Sequence, residues 1–293
     1  SVHSALMKSG PTVDAATVLL QWSTGGLFFL WVTTRRREVG LGYGWLMRST
    51  YIVIAALGAF AGFGWSKQTL RDMFLVAVVV STSAALATSI ARRKVGVAYQ
   101  SEENDRRTER VAQMTGLRKE TNTADLDVSE FNPQWDLLAP AVGFVGLCAT
   151  GLASNGNVAL EMVRLVVGAA FLGVVTDAML LGHWYLVQPG LRRDPLLEQV
   201  SWLGRIWPLE VAALLIPTGM VSVLSGEIDD GYGGMLGWFW VACALSTLIL
   251  TVITRLALRE RQYAAVMAAT GLLYLAILTA FGTDIVGRLV LET

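Results

Sequence analysis

Three ionisable side chains, Asp177, His183 and Glu210, stand inside stretches that otherwise carry almost no charge. The run VVTDAMLLGHWYLVQPGLRRD holds the first two and GRIWPLEVAALLIP holds the third. Carboxyl and imidazole groups exchange protons and bind polar headgroups, and hydrocarbon makes them expensive unless neighbours or water compensate. With Trp184, Tyr185, Arg205 and Trp207 they are expected to line one inward-facing pocket. In that reading Asp177 lies in the inner half of its helix, His183 nearer the inner surface, and Glu210 a turn or two into the next helix from the same surface. Asp177 and His183 are six residues apart, about 240° around a helix axis. They therefore sit on different faces, Asp177 with Leu181 and His183 with Val187. Plainer readings compete. His183, Trp184 and Tyr185 also suit an interfacial aromatic belt, Asp177 an ion pair with an arginine of a neighbouring helix, and Glu210, beside Pro208, a helix start.

The elements that must position these groups are long and apolar. Crossing hydrocarbon takes about 20 residues of helix, because lipid offers the backbone no hydrogen-bonding partner. Eight stretches qualify: 15–34, 46–65, 73–91, 136–154, 158–186, 206–225, 235–255 and 263–282. With 54% hydrophobic and 16% charged residues and a mean hydropathy of +0.51, the chain reads as an all-α integral membrane protein. Residues 1–14 are polar and run straight into a full-length span, so the first helix is expected to be retained and not cleaved as a signal peptide.

Lysine and arginine in short loops fix orientation, since positive charge stays on the cytoplasmic side. If both termini face outward, 18 of the 23 basic residues fall inside, leaving Lys8, Lys67, Arg71, Arg164 and Arg288. The expected address is the inner (cytoplasmic) membrane with both termini on the outer, periplasmic side. The zero net charge carries no sign of nucleic-acid binding.

Residues 92–134 form the one sizeable polar segment, mixed in sign, with a short amphipathic helix expected near 106–117 and a turn at Asn132-Pro133. It reads as a cytoplasmic connector and a candidate docking surface for a soluble partner. Around it the chain divides into helices 1–3 (1–91), helix 4 (135–157) and helices 5–8 (158–293). The two sets of four look alike: GGLFFLWVTT beside GAAFLGVVTD, WLMR beside WLGR, Ser81-Thr82 beside Ser246-Thr247, and two Gly-rich runs with threonine, PAVGFVGLCATGLA and AATGLLYLAILTAFG. Four matches in one order predict a tandem duplication. An even number of crossings keeps both copies in the same orientation.

No nucleotide-binding loop, catalytic triad or metal-ligand spacing occurs, so no catalytic residue, metal or intrinsic cofactor is expected. Cys148 and Cys243 fall within spans and read as packing residues. One intramembrane histidine cannot supply both axial ligands of a b-type haem. A proton path needs ionisable groups spread through the membrane, whereas these acids are expected to cluster toward one side. Pro217 is expected to kink its helix. The favoured reading is a non-redox subunit of a larger membrane assembly, respiratory or related. It would have lipids and other membrane subunits as partners and a quinone or bound lipid in the Asp177–His183–Glu210 pocket. The rival is a small-molecule or ion transporter using Asp177 and Glu210.

Overall fold

The computed structural model describes residues 14–66, 68–92, 132–154, 157–188, 191–216, 219–227, 230–260 and 262–292. Most of the polar N-terminal segment, the amphipathic helix expected at 106–117 with most of its connector, and Pro217 lie outside them. Nine α-helices and no strand occur among the described residues. They are α1 (Ala15–Thr34), α2 (Leu41–Ala61), α3 (Thr69–Ala91), α4 (Leu138–Leu152), α5 (Val158–Val187), α6 (Asp194–Leu215), α7 (Gly219–Leu224), α8 (Met235–Ala257) and α9 (Tyr263–Glu292). A π turn, Gly62–Ser66, extends α2, and a 3-10 turn, Pro133–Leu137, leads into α4. Helix starts follow local chemistry: the Asp14 carboxylate accepts from the Ala16 amide (3.2 Å) and the Asn157 side chain from Leu160 (3.3 Å). Such caps satisfy donors that the first turn leaves orphaned.

Seven segments are long and apolar enough to span a bilayer: α1, Leu41–Trp65, α3, Pro133–Leu152, α5, α8 and Tyr263–Leu291 of α9. The expected eighth, 206–225, is not a continuous helix. α6 begins at Asp194, and Pro208, expected near a helix start, lies well inside it. The chain turns extended at Ile216 (φ −90°, ψ 142°), the backbone a residue before proline prefers, and Pro217 follows in sequence. Helix resumes as the six-residue α7.

Helix neighbours form two closed rings. α1, α2, α3 and α4 pack each against the next, with α4 returning to α1; α5, α6, α8 and α9 do the same, with α9 returning to α5. The rings meet chiefly where α1 lies along α5. Gln21 reaches Leu165 and Gly25 abuts Ala169 and Gly173, so both helices run the same way. The approach depends on glycine: a Cβ on Gly173 would overlap the Gly25 backbone, and one on Gly25 the Ala169 carbonyl. Small residues permit such contact where no hydrophobic drive between helices exists.

Large apolar side chains remain exposed, among them Leu57, Phe60, Val80, Ile249 and Leu278, as a lipid-facing exterior requires. Trp65, Trp135 and Trp238 are exposed at ends of membrane-length segments, where amphipathic rings settle.

Candidate functional site

Asp177 is fully buried on α5. Its Oδ1 accepts a hydrogen bond from the Tyr51 hydroxyl on α2 at 2.5 Å. Gly26 makes that possible, since a Cβ there would overlap the Tyr51 ring. Asp177 Oδ2 and the hydroxyl of Tyr43, also fully buried, have no hydrogen-bond partner among the described residues. Tyr43 lies 6.0 Å, centroid to centroid, from Trp184. Beside Asp177, the Thr176 hydroxyl accepts from Trp22 Nε1 at 2.9 Å. This site therefore joins α1, α2 and α5, across both rings.

The other expected pocket residues are distributed differently. Trp184 and Tyr185 stay near the Asp177 site; Tyr185 is buried and donates its hydroxyl to the Arg192 carbonyl. His183 is exposed, with its Nδ1 3.1 Å from the Tyr274 hydroxyl on α9. Arg205 is exposed, its guanidinium 5.4 Å from the Trp202 ring centroid. Trp207 is half-buried and donates Nε1 to the Ala244 carbonyl at 2.9 Å. These three do not join Asp177.

Glu210 does not join it either. Its charged neighbours are Asp284 and Arg288 on α9 and Arg164 on α5. Arg288 Nε donates to Asp284 Oδ1 at 2.8 Å, and its NH2 to the Arg164 carbonyl at 2.6 Å. Arg164 binds Glu161 at 3.0 Å and caps the broken end of α6, donating to the Ala213 carbonyl at 3.0 Å and the Ile216 carbonyl at 2.8 Å. Gly168 on α5 is the floor of this site, since a Cβ there would collide with the Arg288 guanidinium. Gly168 lies nine residues before Asp177 on α5, so the two carboxyl sites differ in depth by about 14 Å at 1.5 Å rise per residue. The single shared depth expected from sequence is thus replaced by two, because α6 starts at Asp194 and Glu210 falls in its last two turns.

Sequence reasoning passed over two further ionic groups. Arg48 and Asp136 form a buried bidentate pair, with Nε–Oδ1 at 2.8 Å and NH2–Oδ2 at 2.6 Å. Arg71, 2% exposed, binds Asp14 and Asp72 at the opposite end of the same ring. The signal was present: of the five basic residues that the expected topology leaves off the cytoplasmic side, Arg71, Arg164 and Arg288 fall in or beside apolar helices, where a charge needs a partner. A third feature is a cleft of about 600 Å³ between α1, α4 and α5, lined by Phe28, Pro140, Phe144, Val145, Val166 and Ala170 among others.

Chemically, the two deep sites combine carboxyl groups with hydroxyl, guanidinium and amide neighbours, a set suited to accepting and releasing protons. No group of three or more His, Cys, Asp or Glu suited to a metal ion occurs among the described residues. Compared with known protein families, curated proteins and solved structures, the chain gives no match. Fold and composition define a multi-pass helical membrane protein.

Proposed function

We propose that the chain is a proton-translocating or proton-coupled transporter of the inner (cytoplasmic) membrane, with Asp177 and the Glu210 site as its two intramembrane stations. One observation carries the reading: fully buried carboxyl groups lie at two depths about 14 Å apart along α5. A path needs ionisable groups distributed through the membrane, and that distribution removes the main argument against transport. Polar side chains of α1 adjoin both stations, Gln21 bonding the Leu165 carbonyl at 2.9 Å near the Glu210 site and Trp22 bonding Thr176 beside Asp177. The interrupted α6–α7 segment supplies an element with carbonyls freed from the helical ladder, as transport helices require.

The orientation proposed with this function keeps the arginine-rich loops cytoplasmic. Its support is that three of the five basic residues left outside, Arg71, Arg164 and Arg288, are engaged in ion pairs within the protein and so carry little topological weight. The tandem duplication is proposed on the two like rings and the parallel run of α1 and α5.

The test is proteoliposomes holding the purified chain and a pH-sensitive dye inside. An imposed potential drives proton entry, and Asp177→Asn abolishes it. Wild-type liposomes as tight as empty ones reject the proposal.

A second reading is favoured by the apolar cleft between α1, α4 and α5. There the chain is a non-redox subunit of a membrane complex, and the cleft holds a lipid or quinone tail. Gentle detergent extraction then yields stoichiometric partner proteins; a solitary monodisperse particle removes this reading.

A further inference from the structure

The Glu210 site holds more acid than its cations balance. Glu161, Glu210 and Asp284 face Arg164 and Arg288, which leaves one negative charge over if all three carboxyls ionise. The excess is not shared evenly. Glu161 is bonded to Arg164, and Asp284 gives Oδ1 to Arg288. Glu210 is 1% exposed, and neither of its oxygens accepts from any donor among the described residues; Asp284 Oδ2 is likewise without one. Gln21, from α1, reaches the edge of the cluster beside Gly168, where its amide nitrogen donates to the Leu165 carbonyl.

An ionised carboxylate stripped of water and given no donor is among the costliest buried groups a fold can carry. A neutral carboxylic acid in the same place carries its own O–H and needs only an acceptor. Asp284 offers an acceptor: its side chain neighbours Glu210, and its Oδ2 takes no donor among the described residues.

We infer that Glu210 and Asp284 together form a single-proton binding site, in which the Glu210 acid donates to Asp284 Oδ2 while Arg288 neutralises the shared negative charge. With that proton in place, three carboxyls and two guanidinium groups sum to neutrality. Moving the proton from Glu210 to Asp284 changes no net charge and breaks no other bond. Arg164 also ties the same cluster to the carbonyls of Ala213 and Ile216 at the end of α6. This rests on the transport reading for its purpose, but the proton's residence is testable without any flux.

Infrared spectroscopy of the full chain grown with 13C-labelled glutamate is the test. At neutral pH the wild-type protein should show a protonated-carboxyl stretch that moves with the glutamate label. It should vanish in Glu210→Gln, whose amide preserves the donor to Asp284, and shift in Asp284→Asn, which removes the acceptor's charge. Absence of any protonated glutamate in the labelled wild type at neutral pH overturns the inference, whether or not the variants fold. So does a band that Asp284→Asn leaves unmoved, or one that Na⁺ removes at constant pH, which would assign the site to a metal cation. If the band is present and the liposomes stay tight, the proton site stands and the transport function falls.

Discussion

Two buried ionic sites in this protein are built to opposite rules. Arg48 and Asp136 form a bidentate fork, with both side chains 4% exposed and both carboxylate oxygens occupied. The Glu210 site has three acids for two arginines and leaves three carboxyl oxygens without a donor. The first leaves neither carboxylate oxygen without a donor for a proton to satisfy. The second has no comfortable state without one. A saturated pair ties α2 to the turn before α4, whereas an unsaturated cluster stores an exchangeable ion.

The sharpest way to break this contrast is to delete one partner in each site. Asp136→Ala removes both carboxylate acceptors from the buried Arg48 guanidinium in the first ring, and losing half of a buried pair costs about 3–5 kcal/mol. The variant should unfold in detergent far below the wild-type temperature or fail to accumulate. Glu210→Gln swaps an acid for an amide of the same shape that still donates to Asp284, so its change should stay within about 1 kcal/mol. Comparable destabilisation of the two variants would erase the distinction between them.

Close to that in size is the seam between the rings. Gly173→Val places a branched side chain where the Gly25 backbone already lies; overpacking costs about 1–3 kcal/mol or more when backbone must move. Limited proteolysis and thermal melting should show the seam loosening. A variant as stable as wild type would mean that α1 and α5 can separate freely.

Tyr51→Phe probes the Asp177 site by removing its one donor. Leaving a buried acceptor unsatisfied costs about 1–3 kcal/mol. Because Asp177 is then without any partner, proton flux in liposomes should fall along with stability. Unchanged flux would take the Tyr51–Asp177 bond out of the path.

Much of this architecture was readable from composition. Span 15–34 coincides with α1, and 158–186 and 235–255 fall within two residues of α5 and α8, because twenty apolar residues admit few structures in lipid. The face argument for Asp177 and His183 also held a signal: Leu181 is fully buried, as Asp177 is, and Val187 is 64% exposed, on the side of His183. The eighth span was misread because apolar content around 206–225 masks two separate facts. Polar Glu198, Gln199 and Arg205 belong to the same helix as Glu210, and the helix ends before Pro217. Placing Glu210 near a helix start set it at the depth of Asp177, whereas the described residues hold the two apart. Its true partners, Asp284 and Arg288, are more than seventy residues away in sequence, and no spacing rule links α6 to α9. Tyr51 escaped for a related reason: a tyrosine in an apolar run looks like packing until its hydroxyl meets a carboxylate from another ring.

The smallest expected effect lies outside the membrane core and sets a baseline for the two buried sites. Asp230 precedes α8, and its carboxylate accepts from the amides of Tyr232 (2.9 Å), Gly234 (2.8 Å) and Leu236 (2.8 Å). Those backbone donors, that of Gly234 foremost, hold its carboxyl below the ordinary aspartate range. The folded-state value is depressed, so the cap contributes fully above the unfolded aspartate value and is lost as pH falls through the lower, folded one. Amide exchange at Gly234 and Leu236, taken as a ratio to the same amides in Asp230→Asn, should show protection that persists down to mildly acidic pH and disappears below it. The Asp230 cap thus titrates on the acid side as an ionised group, opposite in sense to the proton site proposed at Glu210. A ratio that stays flat across the acid range would show that the three amides do not depend on the ionised carboxylate, and the cap would no longer serve as the charged reference against which a neutral buried acid is recognised.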